Sequence, residues 1–244
     1  MNRNKYLTIY QTITREILDG KYPYQSILPS ENKLVEMYDV SRETVRKALS
    51  LLQSNGYIQK LKGKGSVVIF NEANHFPVSQ LISFKEIQES LNLHYETIVE
   101  RFELVSAKDF PHVQQALNLG DYEKLWKVVR CRVESGKTAI VDTDYFIQSL
   151  MPALSEEVAQ QSIYEYIEDR LGLTISFSNK AITFEPFDDD DFDYFGETNP
   201  PYAAVVRSVV HLDDTRPFQY NVSKHRANEF KFVDFSRRIS AQDE

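Results

Sequence analysis

Between Leu28 and Ser66 two helix signals, a turn and a glycine-lysine hairpin follow one another without spare residues, and few folds accommodate that order. Ser30 stands where a helix cap belongs, ahead of Leu34, Val35 and Tyr38, and Asp39-Val40 makes a turn. Ser41 then caps a second run, whose apolar Val45, Ala48, Leu49 and Leu52 fall within one arc of a wheel at ~100° per residue. Glu43, Arg46, Lys47 and Ser50 point the opposite way, with Arg42 and Thr44 on the flanks, and Asn55-Gly56 ends the helix. Tyr57 to Leu61 and Ser66 to Phe70 are β-prone runs joined by Lys62-Gly63-Lys64-Gly65, where glycine lets the backbone turn and approach a surface closely. Upstream, Tyr6, Ile9, Tyr10, Ile13 and Ile17 recur at helical spacing before Gly20, which predicts a helix over residues 5 to 19. Three helices and a basic hairpin in this order make a winged helix-turn-helix.

Charge agrees with that reading. Up to Phe70 eleven basic residues stand against six acidic ones, a balance of +5, whereas the whole chain of 244 residues carries −8, leaving −13 for the remainder. Cations confined to one end are expected when one domain meets phosphate and the other stays off it. A helix entering the major groove reaches base edges with its first turn. Arg42 and Arg46 can grip guanine, Glu43 can accept from cytosine, and Lys47, Lys62 and Lys64 can lie along phosphates.

These landmarks, LPSE, then SRETVRKAL with NGYI downstream, then a glycine-rich hairpin, resemble the winged helix-turn-helix of the GntR family of bacterial transcription regulators. The resemblance implies that Arg42, Thr44 and Arg46 sit at the principal DNA contacts, with Gly63 at the wing tip in the minor groove. The family often has arginine after the LPSE glutamate; here Asn32 takes that place, with Lys33 near enough to serve.

Residues 71–79, NEANHFPVS, read as a linker. Beyond it, strands alternate with short helices. Ser83-Phe84-Lys85-Glu86 and Ser162-Ile163-Tyr164-Glu165 are capping-box patterns, the second opening a helix that runs to Gly172. Asp109 to Leu117 reads as helix, and Asp188 to Asp191 as a solvated helix start. Strands are expected within residues 95–105, 125–134, 138–146, 173–186, 203–212, 217–227 and 231–235, giving a mainly antiparallel α+β domain over residues 80–238 and a tail at 239–244. In the Leu125 to Glu134 strand, period two puts Arg130 and Arg132 on one face. Two guanidiniums there are exposed, or paired with Asp142 and Asp144 on the next strand, or gathered around an anion. Phosphate suits the arginine fork best, and helix starts at Ser83 and Ser162 can add N–H donors.

Residues 80–238 resemble the UTRA effector-binding domain of the HutC subfamily of GntR regulators, which is chorismate-lyase-like in fold. In its sugar-phosphate-binding members an R-x-R strand and an S-x-Y helix start hold the phosphate, which implies those roles for Arg130, Arg132, Ser162 and Tyr164. Sugar-facing positions map onto Ser83, Phe84, Asp142, Gln219 and His225, although related regulators often carry glutamate at the Gln219 position and tyrosine at the His225 position. SRETVRKAL, KGKGSVV, FPVS, DYF, SIYEYIE and KFVDFSRR resemble the trehalose-responsive branch, which implies trehalose 6-phosphate as inducer. The resemblance therefore implies a repressor acting as a homodimer on a palindromic duplex.

The remaining classes find less support. His75, His94, His112, His211 and His225 show neither metal-ligand spacing nor an arrangement with a nucleophile, so no catalytic site, metal or cofactor is expected. A chorismate-lyase-like enzyme, and a regulator answering to another effector such as an amino-sugar phosphate, are the competing readings. Cys131 is alone, so no internal disulfide forms. Met1 to Lys5 leads into no signal-peptide core and no run approaches a membrane span, so a cytoplasmic location is expected.

Overall fold

The computed structural model describes residues 5–70, 81, 83–91 and 94–232, which fall into two compact units, residues 5–70 and residues 81–231. The linker expected at 71–79 and the tail at 239–244 lie outside the described residues.

In the first unit α1 (Lys5–Leu18) buries Ile9, Ile13 and Ile17, the apolar stripe read from its spacing. Ser30 caps α2 (Glu31–Tyr38) by accepting the Lys33 N–H at 3.3 Å, and Ser41 caps α3 (Arg42–Ser54) by accepting that of Thr44 at 3.2 Å. Between them Asp39 adopts φ 47°, a left-handed conformation that aspartate tolerates better than most side chains. On α3 the buried residues are Val45, Ala48, Leu49 and Leu52, all 0–1% exposed, and truncating either leucine would cost ~2–5 kcal/mol. β1 (Ile58–Leu61) and β2 (Gly65–Val68) pair antiparallel around Lys62-Gly63-Lys64. Gly63 and Gly65 take φ +78° and +96°, which accounts for glycine at both places. Ile27 bridges Val67 and widens this hairpin, a pairing with no local sequence signal.

The second unit is a six-stranded antiparallel sheet in the order β3-β4-β5-β8-β7-β6, built from β3 (Glu96–Ser106), β4 (Lys124–Glu134), β5 (Lys137–Ile147), β6 (Ile175–Pro186), β7 (Tyr202–Leu212) and β8 (Pro217–Arg226). One face sets Val128, Phe146, Val210 and Phe218 against Ala159 of α6 (Glu156–Gln160), Ile163 of α7 (Ile163–Glu165) and Ile167. The other carries two clusters. α5 (Pro111–Ala116) lays Val113 against Leu125, Tyr145 and Tyr220, and α8 (Asp189–Phe195) lays Phe195 beside Phe187 over Cys131, Val141 and Val205. Helices on both faces of an antiparallel sheet give the α+β layering expected from the sequence.

The local helix signals are met unevenly. The Ser83 capping box closes in both directions, Ser83 N–H to Glu86 Oε2 at 2.7 Å and Glu86 N–H to Ser83 Oγ at 3.1 Å, at the start of α4 (Phe84–Leu91). The Ser162 box closes in one direction only. Ser162 Oγ accepts from the Glu165 N–H at 3.3 Å, while the Glu165 carboxylate accepts from Lys85 Nζ at 2.9 Å instead. The helix expected from Ser162 to Gly172 is short α7 followed by a π-helical turn, Tyr166–Arg170. α6 was not foreseen, because five residues offer too little periodicity. The Asp188 to Asp191 run does start a helix, but Asp191 is buried rather than solvated: it forms a capping box with Asp188, and Lys224 Nζ reaches both carboxylates at 2.8 Å. Lys231 and Phe232 are not in a strand, and the rest of the strand expected at 231–235 lies outside the described residues.

Candidate functional site

The outer face of α3 and the hairpin tip form one candidate surface. Asn32, Lys33, Arg42, Glu43, Arg46, Lys47, Lys62, Gly63 and Lys64 are all exposed, and Thr44 is half-buried with its Oγ1 2.8 Å from Ser41 Oγ. Lys33 pairs with Glu36 at 3.3 Å and Lys47 with Glu43 at 3.2 Å, exposed contacts worth ~0–1 kcal/mol each that leave both lysines available to phosphate. Arg46 is tethered differently, its Nε donating to Glu31 Oε2 at 2.9 Å across to α2.

The second candidate site lies on the face of β4, β5 and β8 that α6 and α7 cover. Period two places Arg130 and Arg132 together, as expected, but neither is exposed: they are 8% and 2% accessible. In the β4–β5 register Arg130 lies opposite Asp142, and each guanidinium reaches diagonally. Arg130 Nη2 donates to Asp144 Oδ2 at 2.6 Å and Arg132 Nε to Asp142 Oδ2 at 3.1 Å. Of the arrangements open from sequence, pairing with the neighbouring aspartates is present.

Around this box the polar groups interlock. Tyr164 OH donates to Gln219 Oε1 at 3.0 Å, and Gln219 Nε2 passes the chain on to Asp144 Oδ1 at 2.7 Å, which also accepts from Asn221 Nδ2 at 2.8 Å. Ser223 Oγ donates to Asp142 Oδ1 at 2.7 Å and lies 3.1 Å from His225 Nε2. Arg132 Nη1 reaches Thr97 Oγ1 at 2.6 Å, and its guanidinium sits 4.2 Å from the centre of the Phe84 ring, a cation–π contact. The closed Ser83 box fixes the turn that delivers Phe84 there. Asp142 and Gln219, implied as sugar contacts, thus spend polar atoms on protein partners. Ser162 is buried, its Oγ held at the first turn of α7. α7 is three residues long, which limits the helix-terminus contribution expected at Ser162.

One polar atom of the box is left over. Arg130 Nη1 reaches Ala159 O at 3.4 Å, but Arg130 Nε is a buried donor with no hydrogen-bond partner among the described residues. An unsatisfied buried donor costs ~1–3 kcal/mol, and more when charged. The electrostatics point the same way. Burial, and then repulsion from Arg130, lower the Arg132 pKa to about 10 despite Asp142. Burial pushes the Asp142 carboxyl up, yet Arg132, Arg130 and the Ser223 hydroxyl outweigh it and hold the group below the usual carboxylate range. Burial, reinforced by Asp144, drives the Tyr164 hydroxyl well above the usual tyrosine range, which keeps it a donor. Burial lowers the His225 imidazole to about 4, against the pull of Asp142. The box is internally neutral and short of one acceptor.

Both units match known families. The gntR family of bacterial regulatory proteins matches residues 5–68, and the UTRA domain matches residues 90–231. A Bacillus subtilis protein, HTH-type transcriptional regulator TreR, is 45% identical over 238 residues, 98% of this chain and 99% of that protein. The chain belongs to the GntR family. It is a GntR-type transcriptional regulator with a UTRA domain, and its relatives are regulators rather than enzymes. A solved structure of the B. subtilis trehalose repressor (TreR) effector binding domain is 39% identical, covers 59% of this chain and 99% of its own, and superposes with a TM-score of 0.54. The crystal structure of a possible transcriptional regulator, YydK of B. subtilis, covers 96% of this chain and 99% of its own with a TM-score of 0.78; at 24% identity it supports the fold alone.

For a GntR regulator the sequence brought forward most of the cations and offered Asp142 and Asp144 as counter-charges of the β4 arginines, but missed other partners of these cations. Glu31, Thr97, Asn221 and Ser223 were not singled out, and Asp144 was considered only as a pairing partner. The alternation Asp142, Thr143, Asp144 on a strand joined to β4 by the Ser135-Gly136 turn was the available signal for Asp144.

Proposed function

We propose that the chain is the repressor of a trehalose-utilisation operon and that trehalose 6-phosphate releases it from its operator. Two copies, as a homodimer, place their α3 helices in successive major grooves of a palindromic site, with half-sites about one helical turn, ~34–36 Å, apart or a multiple of it. Arg42, Thr44 and Arg46 read bases, assisted by Glu43, while Asn32, Lys33, Lys47, Lys62 and Lys64 follow the backbone and the Gly63 wing tip enters the minor groove. Arg130, Arg132, Ser162 and Tyr164 hold the inducer's phosphate, and Ser83, Phe84, Asp142, Gln219 and His225 border its sugar. Such a regulator works in the cytoplasm, where the chromosome is, and among the described residues no helix is long and apolar enough to cross a membrane.

The observation that carries the anion reading is the buried Arg130–Arg132 pair with an unpartnered Nε. A phosphate oxygen supplies the missing acceptor and relieves the repulsion between the guanidiniums. The choice of trehalose rests on likeness to TreR and to the trehalose repressor's effector domain. For release, the inducer must bind the operator-incompetent state more tightly.

An operator-release titration tests this. Trehalose 6-phosphate should release the duplex, and trehalose and inorganic phosphate should not. Release by an amino-sugar phosphate in its place would reassign the effector, and conversion of the added ligand would favour the enzyme reading.

A further inference from the structure

We infer that Glu31 is a positioning residue for base readout: it holds Arg46 by the Nε so that the two terminal amines face the groove. This rests on Arg46 reading a base, as proposed above. Glu31 opens α2, and its Oε2 accepts from Arg46 Nε on α3 at 2.9 Å, while its Oε1 lies 3.9 Å from Lys60 Nζ on β1. One carboxylate thereby links both helices of the helix-turn-helix to the first strand of the hairpin. An arginine offers two different forks, a side edge made by Nε with one Nη and an end made by both Nη groups. Glu31 occupies the side edge, which leaves the end fork for the O6 and N7 of a guanine. The tether also removes rotamer freedom that the arginine would otherwise lose on docking.

A carboxylate on a face that meets phosphate carries an electrostatic penalty on every duplex, cognate or not. Glu31 therefore exchanges general affinity for discrimination, and this sets it apart from a residue that only supports the fold. The pair is exposed, with 63% and 34% of the two side chains accessible, so its loss should barely change the stability of the unit.

The test uses the full-length chain and two duplexes: the one most enriched by the wild-type chain from a random pool, and a scrambled version of it. Glu31→Ala should bind the scrambled duplex as well as wild type or better, yet lose about five- to tenfold in its preference for the enriched one, part of what a bidentate arginine–guanine contact provides. Glu31→Gln, which keeps an acceptor oxygen, should retain most of the preference. In an Arg46→Ala background, Glu31→Ala should change the preference no further. An equal loss in that background would show Glu31 acting through another group and overturn the inference. So would an unchanged or raised preference in Glu31→Ala, the latter marking the pair as a lock that DNA must open. If Arg46→Ala alone leaves the preference intact, base readout by Arg46 itself fails, a separate result.

Discussion

Asp144 is 0% exposed and accepts three hydrogen bonds, from Arg130 Nη2 at 2.6 Å, Gln219 Nε2 at 2.7 Å and Asn221 Nδ2 at 2.8 Å. Asp144→Ala leaves a buried guanidinium without its counter-charge and two amide donors without an acceptor. Removing one partner of a buried ion pair costs ~3–5 kcal/mol. Each orphaned amide would add ~1–3 kcal/mol, but the donors share one acceptor and water can enter the space, so these costs do not sum. We expect the second unit to lose about 3–5 kcal/mol, which lowers its urea midpoint by roughly 2 M. Trp126 makes the assay selective. It is the only tryptophan of the chain, lies on β4, donates from Nε1 to Met151 O at 3.0 Å and stacks on Phe102, so its emission follows this unit alone. Asp144→Asn keeps the shape and one acceptor oxygen and should lose about half as much. A loss under about 1 kcal/mol in the alanine variant would refute Asp144 as the counter-charge of the Arg130 site.

Arg132→Ala, assayed where Trp126 emission shows the second unit still folded, should leave operator affinity unchanged in a mobility-shift assay and abolish release by trehalose 6-phosphate; a normal response would place the anion elsewhere. His225 stays neutral in the folded chain down to about pH 4, whereas the unfolded chain takes up the proton near pH ~6.5. Stability from this group is therefore complete above that upper value and declines as pH falls toward 4, by on the order of 3 kcal/mol. Equilibrium unfolding of His225→Gln should show a flatter slope in that window, and an unchanged slope would contradict the assignment. Ser41→Ala removes the cap of α3 and should cost the first unit about 1 kcal/mol in thermal unfolding, with no effect on the second.

What was legible in the sequence was local. Ser41, Asp39 and the stripe on α3 obey rules spanning four residues, and they appear in the structure as read. The shared face of Arg130 and Arg132 follows from strand geometry alone. Ser162 shows the limit: its box matched the local pattern, but Lys85, far away in the chain, captured the Glu165 carboxylate. The same holds for the site. Which acid meets which arginine depends on the β4–β5 register, and Asn221 and Ser223 reach the aspartates only because β8 pairs with β5 across a long separation. The link between Glu31 and Arg46 likewise spans two helices whose packing no short pattern specifies.

In the proposed repressor, sugar phosphate and operator binding are coupled, and reciprocity tests that coupling. Calorimetric affinity for trehalose 6-phosphate should be weaker for the operator-bound chain than for the free chain, by the same factor by which saturating trehalose 6-phosphate weakens operator binding. Equal affinity with and without the operator would contradict the account.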